Sequence, residues 1–101
     1  MGYKLWLDDI RPAPDFTWIE FENVPDLIEA MKRLINWGAK IDVVSLDNDL
    51  GEGLTEGYKV LDWLESLLIP VEFGIHIHSA NPVARERMRA IIERNGWKEI
   101  R

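Results

Sequence analysis

Ile41-Asp42-Val43-Val44-Ser45-Leu46-Asp47-Asn48-Asp49 is the stretch on which the fold turns. Its first part is nearly continuously apolar, as expected of a central strand covered on both faces. It then breaks off into Asp47, Asn48 and Asp49. Near the amino end the arrangement repeats, with the run Tyr3-Lys4-Leu5-Trp6-Leu7 closing on Asp8-Asp9. If the two strands are parallel neighbours, up to four carboxylates converge on one crevice. Two carboxylates about 5 Å apart repel by roughly 3 kcal/mol at an effective dielectric near 20. Such a cluster calls for a cation or shared protons.

Working outward, residues 9–16 hold Arg11-Pro12-Ala13-Pro14, whose two prolines predict a stiff loop. Residues 17–22, with Trp18, Ile19 and Phe21, predict a short strand. Asn23 suits an N-cap, with Pro25 in the first turn and Asp26 three residues on. Leu27, Ile28, Met31, Leu34 and Ile35 then mark the apolar face of a helix that stops at Gly38. Beyond the central strand, residues 49–56 predict a loop holding Gly51 and Gly53. A helix follows through Val60, Leu61, Leu64, Leu67 and Leu68, ended by Pro70, and residues 71–78 predict another buried strand. Asn81-Pro82 supplies an N-cap with proline at the first helical position. The core face of that helix is Ala84, Met88, Ile91 and Ile92, Asn95-Gly96 ends it, and residues 97–100 predict a last strand.

Strands alternating with helices imply an α/β layer with a parallel sheet. Ligands in such sheets bind outside the carboxyl ends of the strands, at the topological switch point. In the flavodoxin-like order 2-1-3-4-5 that point lies between strands 1 and 3. Those are the two strands that end in the acidic clusters. The expectation is a three-layer flavodoxin-like fold with a five-stranded parallel sheet, spanning residues 1–101 as one domain.

Bulk composition agrees. The chain has 101 residues, 47% apolar and 30% charged, which is globular composition and not disorder. It has no cysteine, so disulfides and thiolate zinc ligation are excluded. Nothing at the amino end has the pattern of a signal peptide, and no apolar run is long enough to span a membrane, which predicts a cytoplasmic protein without membrane partners. The net charge of −6 argues against extended binding to duplex nucleic acid.

The motifs resemble a receiver domain, the phosphoacceptor module of two-component signalling. An acidic pair follows strand 1 (Asp8, Asp9), an aspartate ends strand 3 (Asp47), and Ser79-Ala80 follows strand 4. The resemblance implies that Asp9 and Asp47 hold Mg²⁺, with the backbone carbonyl of Asp49 as a further ligand and Asp8 assisting through water. It also implies Asp47 as phosphoacceptor. The closer resemblance is to the cyclic-phosphate processing receiver domain family. Its members show stretches similar to Leu5-Trp6-Leu7-Asp8-Asp9-Ile10-Arg11-Pro12, Ser45-Leu46-Asp47-Asn48-Asp49-Leu50-Gly51, Gly57-Tyr58-Lys59-Val60-Leu61-Asp62-Trp63-Leu64 and His78-Ser79-Ala80-Asn81-Pro82-Val83. Three departures from receivers or from that family stand out. The first receiver helix is replaced by the proline loop. The usual lysine at the end of strand 5 is missing, since Lys98 is early in that strand, and Arg101 or Arg11 would have to stand in. Position 48 is Asn where the family often carries His.

Short carboxylates at positions 8, 9, 47 and 49 suit hard cations, and Mg²⁺ and Mn²⁺ both accept carboxylate and water ligands. Aspartates also serve in turns and caps, and for Asp49, beside two glycines, that bland reading weighs equally. His76 and His78 share one face of a strand. His76 reads as a packed, hydrogen-bonded histidine and His78, at the strand end, as a candidate proton carrier. Ser79 would point its hydroxyl into the crevice if strand 4 is next to strand 3, and alternation then puts His78 on the opposite face unless the chain turns at the strand end. Arg11, in its stiffened loop, could offset the carboxylates or fork a phosphate. Asn81 at a helix amino end and Arg85 one turn in are the other phosphate candidates, though capping alone accounts for Asn81. The five tryptophans read mostly as packing, with Trp18 the candidate for stacking on a base.

Together these features predict a metal-dependent phosphodiesterase acting on a cyclic phosphate, a small molecule or an RNA 3′ end. Two alternatives stay open: a signalling receiver phosphorylated on Asp47, and a module that binds a cyclic phosphate without cleaving it.

Overall fold

In chain order the computed structural model, which describes residues 2–101, runs β1 (Tyr3–Leu7), β2 (Trp18–Phe21), α1 (Val24–Asn36), β3 (Ile41–Leu46), α2 (Tyr58–Ser66), β4 (Gly74–Ile77), α3 (Pro82–Asn95) and β5 (Lys98–Ile100). The strands form one parallel sheet in the order β2-β1-β3-β4-β5. This is the receiver-like flavodoxin order expected from the sequence. Both predicted side-chain caps are present: Asn23 accepts from the Asp26 N–H at 2.9 Å and Asn81 from the Ala84 N–H at 3.1 Å.

From β2 to β3, to β4, to β5 the chain steps the same way across the sheet. Right-handed crossovers therefore put α1, α2 and α3 on one face. That face carries Leu5, Leu7, Val44, Leu46, Ile75 and Ile77, which form the core with Leu27, Met31, Leu61, Leu64, Met88 and Ile92 from the helices. Burying one such side chain is worth about 1.5–3 kcal/mol.

The step from β1 to β2 runs the other way, so its connection falls on the opposite face. No helix forms there, as the paired prolines foretold. Residues 8–17 instead lie against the sheet, where the Trp6 indole donates to the Arg11 carbonyl at 2.9 Å and the Ala13 N–H to Glu20 at 3.2 Å. This loop is what the third layer consists of over β1 and β2. No helix covers that face over β3, β4 and β5 among the described residues.

β2 is shorter than predicted by one residue at each end, β5 by one at its start, and α2 and β4 by more. Helix α2 ends at Ser66, with Leu67 as its cap. Leu68 is not part of its apolar face: it has φ 54° and is 92% exposed. The chain reverses there without a glycine, a conformation that costs an L-residue about 1–2 kcal/mol. Strand β4 begins at Gly74, not at Val71, because pairing to Val43 and Lys98 starts only there. Val71 and Phe73 pack at the edge of the core without joining the ladder. A side chain at position 74 would run into Ile100, its Cβ only 2.0 Å from the Ile100 Cδ1 atom. The glycine is what lets β5 approach.

Candidate functional site

Asp8, Asp47 and His78 each sit one residue beyond a strand, where the ladder still holds the backbone. The N–H of Asp8 donates to Phe21, that of Asp47 to Leu7 and that of His78 to Leu46, each at 3.0 Å. These bonds fix where the acidic side chains leave the sheet. Asp8, Asp9 and Asp47 each place a carboxylate oxygen within 4.8 Å of the others, and Asp8 and Asp47 are buried. At that spacing each pair repels by about 3 kcal/mol at an effective dielectric near 20.

The three carboxylates differ in what they already hold. Asp8 accepts from the N–H groups of Ile10 at 2.9 Å and Arg11 at 2.8 Å, from Arg11 Nε at 3.0 Å and from the His78 ring at 3.0 Å. An ionised carboxylate offers about four lone-pair sites, so Asp8 is saturated. Burial opposes its ionisation, yet the Ile10 and Arg11 amides, His78 and the Arg11 charge together hold its carboxyl below the usual range. Asp47 is pushed the other way: burial raises its pKa, with Asp8 and Asp49 adding to the push, against the Asn48 amide and Arg11. Asp9 has a buried Oδ1 with no hydrogen-bond partner. A buried, unpaired carboxylate oxygen between two others is where a cation fits. Asp9 thus keeps an oxygen without a partner, while the acceptor sites of Asp8 are all taken by protein donors.

Arg11 offsets this charge. Its Nη2 lies 3.5 Å from Asp47 and donates to the His78 carbonyl at 2.9 Å, so one guanidinium ties the ends of β1, β3 and β4. Lys98 pairs with Gly74 at the far end of β4, and the Arg101 guanidinium lies 3.5 Å from Glu99.

The remaining candidates lie around this centre. Asp49 is exposed, outside the group of three, and receives the Asn81 amide at 3.3 Å. Ser79 is buried, its hydroxyl accepting from the Asn81 N–H at 3.1 Å, and Arg85 donates to the Ser79 carbonyl at 3.2 Å. His78 lies with Asp8, its imidazole stacked on Trp6 at 3.9 Å. Its buried ring is pushed down to about 4 by desolvation, against the pull of Asp8, so it is neutral at pH 7. Trp18 packs edge-on against Trp6 with Lys4 over its ring. A cavity of about 450 Å³ opens on the β2 side of the aspartates, walled by Arg11, Pro12, Phe21 and Glu22.

Several residues shape the site in ways that the sequence did not show. Asn48 is fully buried and clamps the loop after β3: its amide donates to Glu56 at 2.9 Å and its oxygen accepts from the Tyr58 N–H at 3.0 Å. Gly57 lies so close that a Cβ there would meet the Asp47 carbonyl oxygen at 1.8 Å. Ser45 bonds both histidines. A lone serine between Val44 and Leu46 in an apolar strand is the one local sign of it.

The family model of the cyclic-phosphate processing receiver domain matches residues 3–94, and the chain belongs to that family. No curated protein and no solved structure matches it.

Proposed function

We propose that this member of the cyclic-phosphate processing receiver domain family is a divalent-metal-dependent phosphodiesterase. Its substrate is a cyclic phosphodiester, a 2′,3′-cyclic phosphate on a nucleotide or an RNA 3′ end. The observation that carries this reading is the unpaired, buried Asp9 oxygen in a three-aspartate crevice bridged by one arginine. Asp9 and Asp47 would hold Mg²⁺ or Mn²⁺, with Asp8 behind them and the Asp49 carbonyl as the further ligand that the family resemblance implies. The cation would neutralise phosphoryl charge and orient water.

The chain's own groups supply the rest. Arg11 uses Nε on Asp8 and Nη2 on the His78 carbonyl, which leaves Nη1 to meet a phosphate oxygen. Asn81, which reaches the Asp49 carboxylate, and Arg85, on the Ser79 carbonyl, would take a second oxygen, with the Ser79 hydroxyl behind the Asn81 N–H. His78, neutral and hydrogen-bonded to Asp8, passes a proton only by way of that carboxylate. No helix among the described residues is long and apolar enough to cross a membrane. A cytoplasmic site of action and freedom from membranes belong to the same proposal.

The test is ³¹P NMR of the protein with a 2′,3′-cyclic nucleotide and Mn²⁺ or Mg²⁺, beside Asp47→Ala. Conversion of the cyclic resonance to a monoester by the wild type alone is the expected result. Turnover unchanged in Asp47→Ala would sink the assignment. One observation favours a second reading, a signalling receiver: Asp47 stands where a receiver's phosphoacceptor does, at the end of β3. A shift of tryptophan fluorescence by beryllium fluoride with Mg²⁺, without turnover, would select it. Tight binding of an unaltered cyclic nucleotide would select a binding module instead.

A further inference from the structure

Across the helix-free face, Trp6, Ser45 and His76 stand side by side on β1, β3 and β4, and His78 is two residues further along. Ser45 Oγ lies 2.7 Å from His76 Nδ1 and 2.7 Å from His78 Nδ1. His78 Nε2 lies 3.0 Å from Asp8 Oδ2. The row therefore reads His76, Ser45, His78, Asp8, and it ends in the acidic crevice.

The hydrogens along this row are determined by counting. Asp8 is an ionised carboxylate and can only accept, so His78 Nε2 carries the hydrogen between them. A neutral imidazole has one N–H, and this ring is neutral: it is buried, lies face to face on Trp6, and its one carboxylate neighbour is already paired with the Arg11 guanidinium at 3.0 Å. Its Nδ1 is then a lone pair, and the Ser45 hydroxyl donates to it. Serine has a single hydrogen, so toward His76 its oxygen can only accept. His76 must donate from Nδ1, which leaves its Nε2 as an acceptor on the helix-free face. Reversing the row would set a bare His78 Nε2 against a carboxylate oxygen at 3.0 Å, two acceptors facing each other.

We infer that Ser45 and His76 are positioning residues, holding the His78 ring from behind so that its Nε2–H stays aimed at Asp8. Ser45 is fully buried, so its hydroxyl has no water to turn to. The His76 N–H fills a lone pair of that hydroxyl and directs its hydrogen to His78. Trp6, stacked 4° from parallel on the His78 ring, fixes the plane. An oriented N–H fixes the rotamer of the carboxylate it holds, and loss of such outer partners commonly costs 10–100-fold in metal affinity. That Asp8 helps hold a cation rests on the function proposed above; the hydrogen-bond row stands on its own distances.

Imidazole ¹⁵N NMR of the metal-free protein at neutral pH reads the row directly. The expected pattern is Nε2–H for His78 and Nδ1–H for His76, the less common form of a histidine in water. Finding His76 as Nε2–H would overturn the assignment. Ser45→Ala, with near-ultraviolet circular dichroism to confirm the fold, should return His76 to Nε2–H and weaken Mn²⁺ binding about tenfold. His76→Phe, which keeps the serine but frees its hydrogen, should weaken Mn²⁺ binding a few-fold, in the same direction but less. Unchanged Mn²⁺ affinity in a folded Ser45→Ala protein would refute the positioning role. A wild type with the expected tautomers but no Mn²⁺ affinity would overturn the metal reading and leave the hydrogen-bond row intact.

Discussion

The two faces of the sheet are made by the same strands and do different work. Toward the helices stand Leu5, Leu7, Val44, Leu46, Ile75 and Ile77, aliphatic and sealed from water. Toward the other side stand Trp6, Ser45, His76 and, just past β4, His78, joined by stacking and hydrogen bonds. Side chains alternate along a strand, so each residue of packing is followed by one free for polar chemistry. What the contrast teaches is that losing a helix layer did more than expose a surface. It let a polar row run under the sheet face to the back of Asp8.

Substitutions on adjacent residues of β3 test the division. Leu46→Ala should destabilise by about 2–5 kcal/mol in urea unfolding, the range for a leucine removed from a packed core. A value under 1 kcal/mol would mean that the helix face is not the main source of stability.

Acid tests the opposite face. The His78 ring titrates near 4 in the folded protein and near 6.5 when unfolded. Between those values the unfolded chain binds the proton and the folded chain does not. Stability is therefore intact above pH 6.5, falls as pH drops below it, and stops falling from this cause below about 4. The gap corresponds to up to about 3 kcal/mol. His76, also lowered by burial, acts with the same sign. Asp47, raised by burial, acts with the opposite sign at the acid end. The clean measurement is the difference between wild type and His78→Asn, and a difference that stays flat from pH 7 to 4 would contradict the buried neutral ring.

Ser45→Ala should cost only about 1–2 kcal/mol in the same unfolding experiment, the scale of one buried hydrogen-bonding group. Its larger consequence falls on the crevice. Smallest is the effect of Arg11→Ala, since that side chain is half exposed. Removing its charge should tighten Mn²⁺ binding a few-fold, the worth of one exposed ion pair, and raise KM for a cyclic phosphate. Weaker Mn²⁺ binding would show that Arg11 shapes the site more than it competes with the cation.

Much of this was legible in the chain. The apolar runs at 3–7 and 41–46, each closed by aspartates, marked both strands to the residue, and the strand order followed from the flavodoxin-like arrangement that sets those two strands side by side. The caps at Asn23 and Asn81 were readable because the signal is local. The end of α2 was not: Leu67 and Leu68 continue its apolar spacing, and only the backbone reversal at Leu68 sets them outside it. Alternation placed His78 on the face of His76 but could not say how Ser79 is turned, since Ser79 lies two residues past the last residue of β4.

By itself the sequence determined which residues are packed and which are acidic at strand ends, since both follow from the spacing of side chains along one segment. The tertiary structure alone decided that Asp8 is saturated while Asp9 keeps an unpaired oxygen. It alone decided that Arg11 spans three strands and that one serine joins two histidines. Those facts depend on distances between β1, β3 and β4, which are far apart in the chain and are brought together by sheet register.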